Sequence, residues 1–467
     1  MNKWFVILFL LLISNSSAQE NQETKKVPGF KLFRAEEIYD YLKDSIQNKR
    51  DFINAIKFIP FNNQRTIYAT IGGQIRLRYE HFSNRNWIKD ANEDYYSHRL
   101  ALHTNVVLGK YVRVFGELYN GYTSFEKKIV QYDELTLHQA FAEVNLPIKQ
   151  NHTISFRFGR QEMGLGTTRL VGIREGPNIR RAFDGVRLIY NSKNVTVNSF
   201  YTKEVFSNFY VFDNKFTLFD DDAPNPKLYG IYSQFKINGL QGFNELYYLG
   251  FETNFSKFND LSGKEKRHTI GLRRFGKVNS RLSFNTEIMY QFGKLGDANI
   301  STFNIGTDTH YLLNENKWKP NIGLKLNWSS GDKSLGDNKA NTFNPMYVNP
   351  SFYSLSSIIT PVNIFSAHPS ISIKPIPKWT VFMDWSIFWR ASKNDGLYTP
   401  PRFLIRESDG INERYIGNII GLKSFYTINR HLIIDLNMSY FITGSFIEKS
   451  GDSENVFHIS PTISYKF

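Results

Sequence analysis

Residues 457–467, at the end of the chain, read FHISPTISYKF. Phe, Ile, Pro and Tyr side chains occupy one parity of this stretch, whereas His, Ser, Thr and Lys side chains occupy the other. This period of two predicts a β-strand with one apolar face and one polar face. The remainder of the chain is therefore expected to supply a set of partner strands.

The terminal aromatic residue, Phe467, makes this strand resemble the closing strand and assembly signal of bacterial outer-membrane barrels. In such a barrel the last strand pairs with the first, because an open sheet edge in lipid leaves backbone groups unsatisfied. We therefore expect an all-β fold, a transmembrane antiparallel β-barrel. An even number of strands would leave both termini in the periplasm.

The composition agrees with a barrel and excludes several other classes. The 467 residues include 26 Tyr and 40 Phe but no Cys, and the mean hydropathy is −0.38. Apart from the extreme N-terminus, no apolar run approaches the ~20 residues that a membrane helix needs. Aromatic residues gather where barrel strands cross the lipid headgroups. The absence of Cys excludes disulfides and zinc–thiolate sites.

The chain divides into three parts. Residues 1–18 carry Lys3, an apolar stretch and the small residues Ser16, Ser17 and Ala18, which predicts a signal peptide. Residues 19–64 are predicted to form a periplasmic N-terminal extension with a short helix, because Ile38, Leu42 and Ile46 form an apolar stripe at helical spacing within residues 30–54. Residues 65–467 are predicted to form the outer-membrane β-barrel.

Alternation of apolar residues and turn-forming residues divides the barrel into about 18 strands, and residues 68–80 form the first. Short connections such as Gly109-Lys110 alternate with long ones such as residues 164–182 and 330–364. Outer-membrane barrels have short periplasmic turns and longer extracellular loops. We therefore expect residues 164–182 and 330–364 to be extracellular or folded into the lumen, and the Gly109-Lys110 turn to be periplasmic.

Strand parity predicts which charged side chains point into the lumen. The basic set is Arg76, Arg78, Arg99, Arg113, Arg157, Arg187, Arg273, Lys325 and Arg390. The acidic set is Glu80, Glu117, Glu143, Glu287, Asp384 and Asp435. The excess of basic residues indicates a preference for anions, as does the formal net charge of +14. The alternative is that these charges only pair across the barrel and solvate its wall.

Residues 159–190 read GRQEMGLGTTRLVGIREGPNIRRAFDGVRLIY, which predicts a strand end, a loop rich in Gly and Arg, and a strand that resumes at Phe183. A guanidinium binds a carboxylate in a planar fork, so clustered arginines suit a carboxylated glycan. The alternative is a cluster that anchors lipopolysaccharide or braces the loop through Glu162, Glu175 and Asp184.

This stretch closely resembles the alginate export family of outer-membrane channels around its GRQ…RLVG…R…FDG…RL pattern. The likeness extends to residues 342–350, 368–401 and 414–446. The resemblance implies an eighteen-stranded barrel with an arginine-lined constriction that passes an anionic uronate polymer. The predicted glycan-binding residues are Arg76, Arg78, Arg99, Arg113, Arg157, Arg160, Arg169, Arg180, Arg181, Asp184, Arg187 and Arg390.

No enzyme, cofactor or metal site is predicted. The ten His residues show no HExxH spacing, and the chain has neither a GxSxG motif nor a phosphate loop. His138 and Ser439 lie on predicted strands without an evident partner. Asp220, Asp221 and Asp222 could hold Ca²⁺, but a solvated acidic loop tip is the favoured interpretation.

The sequence therefore predicts a monomeric channel of the bacterial outer membrane that passively conducts an anionic polysaccharide or its oligomers. One alternative is a general or substrate-selective anion porin, and another is a structural or adhesive barrel plugged by its own loops. The expected partners are outer-membrane lipid and lipopolysaccharide, the barrel assembly machinery and a polyuronate. Nucleic acid is not expected, because an exported protein seldom meets it.

Overall fold

The computed structural model describes residues 28–43, 53–125, 130–315, 317–353, 356–400 and 402–467. The predicted signal peptide, residues 1–18, lies outside the described residues, as does Ile46 of the predicted N-terminal helix. Among the described residues, no helix is long and apolar enough to cross a bilayer.

Eighteen antiparallel strands within this part of the chain form one closed barrel, which confirms the predicted fold class. In chain order they are β1 (Ile67–Phe82), β2 (Glu93–Leu108), β3 (Val112–Thr123), β4 (Asp133–Lys149), β5 (His152–Gln161), β6 (Phe183–Asn191), β7 (Val195–Glu204), β8 (Lys227–Phe235), β9 (Phe243–Phe258), β10 (Leu261–Lys277), β11 (Leu282–Leu295), β12 (Ala298–Leu312), β13 (Asn321–Ser329), β14 (Ile364–Ile376), β15 (Trp379–Arg390), β16 (Tyr415–Thr427), β17 (Leu432–Thr443) and β18 (Val456–Lys466).

The last strand closes the barrel against the first. Gln74 is opposite Lys466 and Phe82 is opposite His458 in the register of β1 and β18. Beyond the end of β18, Gly73 and Phe467 exchange backbone hydrogen bonds of 2.9 and 3.1 Å. No sheet edge is left open at the seam, which is the condition for a sheet to exist in lipid.

The outer and inner faces of the wall differ in polarity. Leu246, Ile270 and Ile288 are about half exposed on the outside of neighbouring strands. On the opposite parity, Arg267 and Gln291 are fully buried inside the barrel. An apolar exterior around a polar interior is the reverse of a soluble barrel and is the arrangement that a bilayer stabilises.

Connections differ in length at the two ends of the barrel. Turns such as residues 109–111, 150–151 and 377–378 lie at the end where β1 begins and β18 finishes. Most connections at the opposite end are long, as predicted, but residues 259–260 and 296–297 are two-residue turns there. Asn259 and Gly296 adopt positive φ angles of 49° and 55°, which a tight hairpin requires.

The N-terminal segment departs from the predicted helix. Its described residues form two 3-10 turns, Arg34–Glu36 and Asp40–Lys43, and a four-residue α-helix, Asn54–Lys57. Glu37 is extended (φ −79°, ψ 132°) and interrupts any continuous helix. The guanidinium of Arg34 donates to the carbonyl oxygens of Gly73 and Phe467 at 2.9 and 2.7 Å. Contacts with the barrel seam therefore override the local helical spacing.

Two long loops fold into the barrel and pack against each other. Residues 162–182 (the inner loop) and residues 330–363 meet through a parallel bridge between Val171 and Tyr347. Tyr347 donates to the carbonyl of Leu170 at 2.9 Å, and Gly172 donates to the carbonyl of Tyr347 at the same distance. Met163, Leu165, Met346 and other apolar side chains of these loops form a buried cluster with the wall. The interior is thus a packed core as well as a lumen.

Candidate functional site

Three predicted lumen arginines hold one turn of the inner loop. Arg76 donates to the carbonyls of Glu175 and Pro177, both at 2.9 Å. Arg99 donates to the same two carbonyls at 3.1 and 2.6 Å, and to that of Asn178 at 2.7 Å. The loop therefore presents a row of carbonyls to the wall, and we call residues 175–178 the anchored turn.

Arg78 completes this attachment by donating to the carbonyl of Gly176 at 2.6 Å. Arg76 and Arg99 are directly opposite on β1 and β2, a placement that would be repulsive for two bare cations. Carbonyl oxygens accept hydrogen bonds from most of the guanidinium N–H groups and relieve that repulsion, although Arg76 Nε has no partner among the described residues. They carry no net charge, so the positive charge of the three arginines is not cancelled by the turn's backbone.

A carboxylate on the anchored turn adds a partly compensating charge. Glu175 accepts from Arg180 and, at 3.0 Å, from Arg99. Burial disfavours the charged form of Glu175, yet the guanidiniums of Arg180 and Arg99 outweigh it and hold the pKa of that carboxyl well below its usual range. Arg180 reaches Glu162 only at 3.4 and 3.5 Å. Glu175 is therefore its main partner.

A second pair of opposed arginines lies on β5 and β6, where Arg157 is directly opposite Arg187. Arg157 donates to Glu143 at 2.7 Å, and Arg113 donates to the other oxygen of that carboxylate at 2.6 Å. Arg187 donates to the side-chain oxygen of Asn198 at 2.8 Å. Its Nε has no hydrogen-bond partner among the described residues. In the first pair Arg76 Nε also has no hydrogen-bond partner among the described residues, but Arg76 makes three other hydrogen bonds, whereas Arg187 makes one.

A cavity of ≈ 320 Å³ adjoins the second pair through Asn198. The inner loop covers it with residues 164–166, and the wall contributes Tyr232, Glu245 and Arg273 among others. Arg273 donates to Glu245 at 2.6 Å, and the Tyr232 hydroxyl donates to the same carboxylate oxygen at 2.5 Å. We call this space the lumen cavity.

The other predicted site residues brace loops. Arg160 forms a two-pronged pair with Asp184 at 2.7 and 3.1 Å, and Arg160 also donates to the carbonyl of Lys215 in the loop 205–226. Arg181 donates to Glu204 and to the carbonyl of Tyr347, which ties the inner loop to residues 330–363. The bracing role that was the alternative for this stretch is therefore present in its contacts.

Two more arginines complete the predicted set. Arg169 Nε lies 3.6 Å from Glu287, and the Arg169 guanidinium fills the space beside Gly306, where a side chain could not fit. Arg390 donates to four loop carbonyls, including that of Ile411. Each of the twelve predicted residues thus contacts a protein partner within the described chain.

Sequence reasoning missed a buried cluster that joins His138 with Glu117 and Glu162. His138 was expected to lack a partner, but its Nε2 lies 3.0 Å from Glu162 Oε1. The register between β3 and β4 shifts after the pair Glu117 and Gln139, so that His138 and Gln139 are both buried. A β-bulge of this kind interrupts the alternation from which inward residues were deduced.

The family model for alginate export matches residues 67–458. The chain belongs to the alginate export family. Among solved structures, the barrel is similar to Pseudomonas aeruginosa OpdQ, with 13% identity and a TM-score of 0.56 over 85% of this chain and 98% of that one. It is also similar to OccK2 (OpdF) of the same organism in complex with glucuronate, with 12% identity and a TM-score of 0.54 over 85% and 98%.

A third similar structure is the outer membrane protein opdK from Pseudomonas aeruginosa, with 11% identity and a TM-score of 0.53 over 85% of this chain and 98% of that one. At such identities the likeness shows the fold. No curated protein matches the sequence. The protein is a channel of the bacterial outer membrane, as its family, its closed barrel and the apolar exterior of that barrel together indicate.

Proposed function

We propose that this channel passively conducts an anionic uronate polysaccharide or its oligomers. The observation that carries the proposal is the pair Arg157 and Arg187. Arg187 has an Nε without a hydrogen-bond partner among the described residues and donates to Asn198, which lines the lumen cavity. Arg113, Arg157 and Arg187 carry three positive charges, and Glu143, which contacts Arg113 and Arg157, carries one negative charge. The group is therefore net positive. A carboxylate from a passing sugar is the complementary group.

The lumen cavity has the chemistry of a sugar subsite. Its volume of ≈ 320 Å³ lies near the lower end of the ~300–1,000 Å³ typical of small-molecule sites, which suits about one sugar ring. Asn198, Gln234 and Thr196 offer polar groups to hydroxyls, and Tyr232 offers an aromatic ring. The similar OccK2 was solved with glucuronate, a uronate monomer, which supports the same cargo class here.

The protein places a carboxylate of its own close to this pair. Glu36, on the N-terminal segment, is exposed and interacts electrostatically with Arg157 and Arg187. Ala35 beside it accepts a hydrogen bond from Arg113 at 2.5 Å. The Glu36 carboxylate thus partly compensates the charge of this arginine pair, and a cargo carboxylate would compete with Glu36 for it.

The proposal includes the orientation of the barrel. The short turns, both ends of the chain and the extension 19–64 would face the periplasm, and the long loops would face outward. A single Cys introduced at Asp337 should react with a membrane-impermeant reagent on intact cells, whereas one at Lys110 should not. Both positions are exposed, so the reverse pattern would show that the barrel is oriented the other way.

A second candidate is a barrel closed by its own loops, which the packed inner loop and residues 330–363 favour. Conductance separates the two. We expect purified protein in planar bilayers to conduct, and uronate oligomers to reduce the current at concentrations where neutral oligosaccharides of equal length do not. Absence of conductance would favour the closed barrel. Conductance with equal blockade by both oligomers would favour a general porin.

A further inference from the structure

A cluster of buried ligand-type side chains lies in the barrel wall away from the lumen cavity. Glu117 on β3, His138 on β4 and Glu162 at the start of the inner loop bring their ligand atoms within 4.8 Å of one another. Each side chain is at least nine-tenths buried. The inference drawn from this cluster does not depend on which cargo the channel conducts.

The local backbone is built to assemble the cluster. The β-bulge in β4 turns both His138 and Gln139 to the inside, where regular alternation would turn one of them toward lipid. Gln139 then donates to Glu117 at 2.7 Å and accepts from the backbone N–H of Glu162 at 3.0 Å. One amide thus orients two carboxylates around the imidazole. Bulges that re-aim a side chain are typical of functional positions.

The carboxylates are incompletely compensated by their protein partners. Glu162 receives its shortest side-chain contact from His138, at 3.0 Å, whereas Arg180 is no closer than 3.4 Å. Charge-assisted hydrogen bonds are normally about 2.7–2.9 Å long. The Glu117 carboxylate accepts a hydrogen bond from a neutral amide on one oxygen. Two carboxylates this deeply buried call for a further cation or proton.

A buried imidazole on the neighbouring strand lies beside one of these carboxylates and does not neutralise it. His103 on β2 is directly opposite Glu117, and its side chain is 2% exposed. Its Nδ1 lies 3.8 Å from Glu117 Oε1, too far for a hydrogen bond, and has no other hydrogen-bond partner among the described residues. In a tetrahedral site with bonds of about 2.0–2.1 Å, neighbouring ligand atoms are roughly 3.3 Å apart. His138 Nε2 and Glu162 Oε1 are 3.0 Å apart, close to that value, and the three ligand atoms of the cluster all lie within 4.8 Å of one another.

We propose that Glu117, His138 and Glu162 bind one divalent transition-metal ion of the zinc class. An imidazole nitrogen selects such ions over Ca²⁺ and Mg²⁺, which prefer all-oxygen sites. The ion would link β3 and β4 to the first residue of the inner loop. It would therefore fix the point at which that loop leaves the wall.

The test uses the full chain without a polyhistidine tag, folded in detergent, stripped with a chelator and titrated with Zn²⁺. We expect one tightly bound Zn²⁺ per chain by elemental analysis after gel filtration, and no comparable binding of Ca²⁺ or Mg²⁺. His138→Ala should weaken binding by at least about tenfold, and Glu162→Gln should do the same. Heat-modifiable gel mobility shows that each variant is folded.

The matched control is His458→Ala. His458 is also buried and contacts a single carboxylate, Glu80, at 3.4 Å, so its loss should leave Zn²⁺ binding unchanged. Equal binding by wild type and folded His138→Ala protein would overturn the proposal, as would preferential binding of Ca²⁺. Absence of Zn²⁺ binding by the wild type would mean that protons compensate the carboxylates, and would also overturn it.

Discussion

The barrel interior contains two pairs of directly opposed arginines, and they differ in what satisfies them. Arg76 and Arg99 share the carbonyls of the anchored turn at 2.6–3.1 Å. The second pair is Arg157 and Arg187. Each pair has one Nε without a hydrogen-bond partner among the described residues, in Arg76 and in Arg187, but Arg76 makes three other hydrogen bonds and Arg187 makes one. Inward-facing arginines therefore anchor a loop in one part of the wall and are candidate cargo contacts in another. What distinguishes them is whether the inner loop reaches them.

The largest effect is expected from breaking the first pair. Arg99→Ala removes a fully buried guanidinium that holds three carbonyls and Glu175. We expect the free energy of unfolding to fall by roughly 3 kcal/mol in urea titrations, because buried partners lose their donors. Single-channel conductance should rise as the inner loop detaches. The control is Arg274→Ala. Arg274 lies on β10 at the parity opposite to that of the inward Arg273, and its loss should change stability by about 0.5 kcal/mol or less. Unchanged conductance in Arg99→Ala would show that the loop is held elsewhere.

Acid should loosen the same attachment more mildly, because the carbonyl contacts persist. The pKa of Glu175 is held well below its usual range, chiefly by Arg180 and Arg99 against the effect of burial. Its stabilising contribution is therefore complete above the unfolded pKa of about 4.3 and is lost as the pH falls through the folded value. Unfolding free energy measured from pH 7 downward should decline below about pH 4.3. The decline should be smaller in Glu175→Gln, and an equal decline in both proteins would exclude this carboxylate as a contributor.

The second pair is tested by affinity. Arg187→Gln removes the donor proposed for the cargo carboxylate and keeps a polar side chain. We expect blockade by uronate oligomers to weaken by about tenfold, which corresponds to ~1.4 kcal/mol. The control, Arg274→Gln, should block like wild type. If Arg187→Gln blocks as strongly as wild type, the cargo does not contact this pair.

The smallest effect concerns the carboxylate that faces the second pair. Glu36→Gln removes an exposed charge near Arg157 and Arg187, and exposed pairs contribute only about 0.2–1 kcal/mol. Blockade by uronate oligomers should strengthen by a few-fold at low salt, and the gain should disappear at high salt. A weaker blockade would mean that Glu36 assists the cargo instead of competing with it.

The sequence predicted the inward position of both arginine pairs but not the groups that they contact. Strand alternation, turn residues and the terminal aromatic predicted the eighteen strands, the closing pair and the long inner loop, because these depend on local periodicity. They could not predict that residues 175–178 fold back onto Arg76 and Arg99. That contact joins positions about 100 residues apart and has no periodic signal.

Two local features show the limit more sharply. The bulge at His138 breaks the alternation from which inward residues were deduced, so the cluster with Glu117 and Glu162 was not predicted. Helical spacing over residues 30–54 predicted a short helix, whereas the described part of that range has 3-10 turns ahead of the helix Asn54–Lys57. The segment instead follows the barrel seam through Arg34, and Ile38 on its predicted apolar stripe is 69% exposed.

The central claim is that the lumen prefers anions, because guanidiniums held by carbonyls keep their charge. The most direct measurement is the reversal potential of the wild-type channel across a salt gradient in planar bilayers. We predict a sign that corresponds to anion preference, weakening as salt screens the field over ~8–10 Å. A cation-selective wild-type channel would contradict the account, because the lumen arginines would then only brace the wall and its loops.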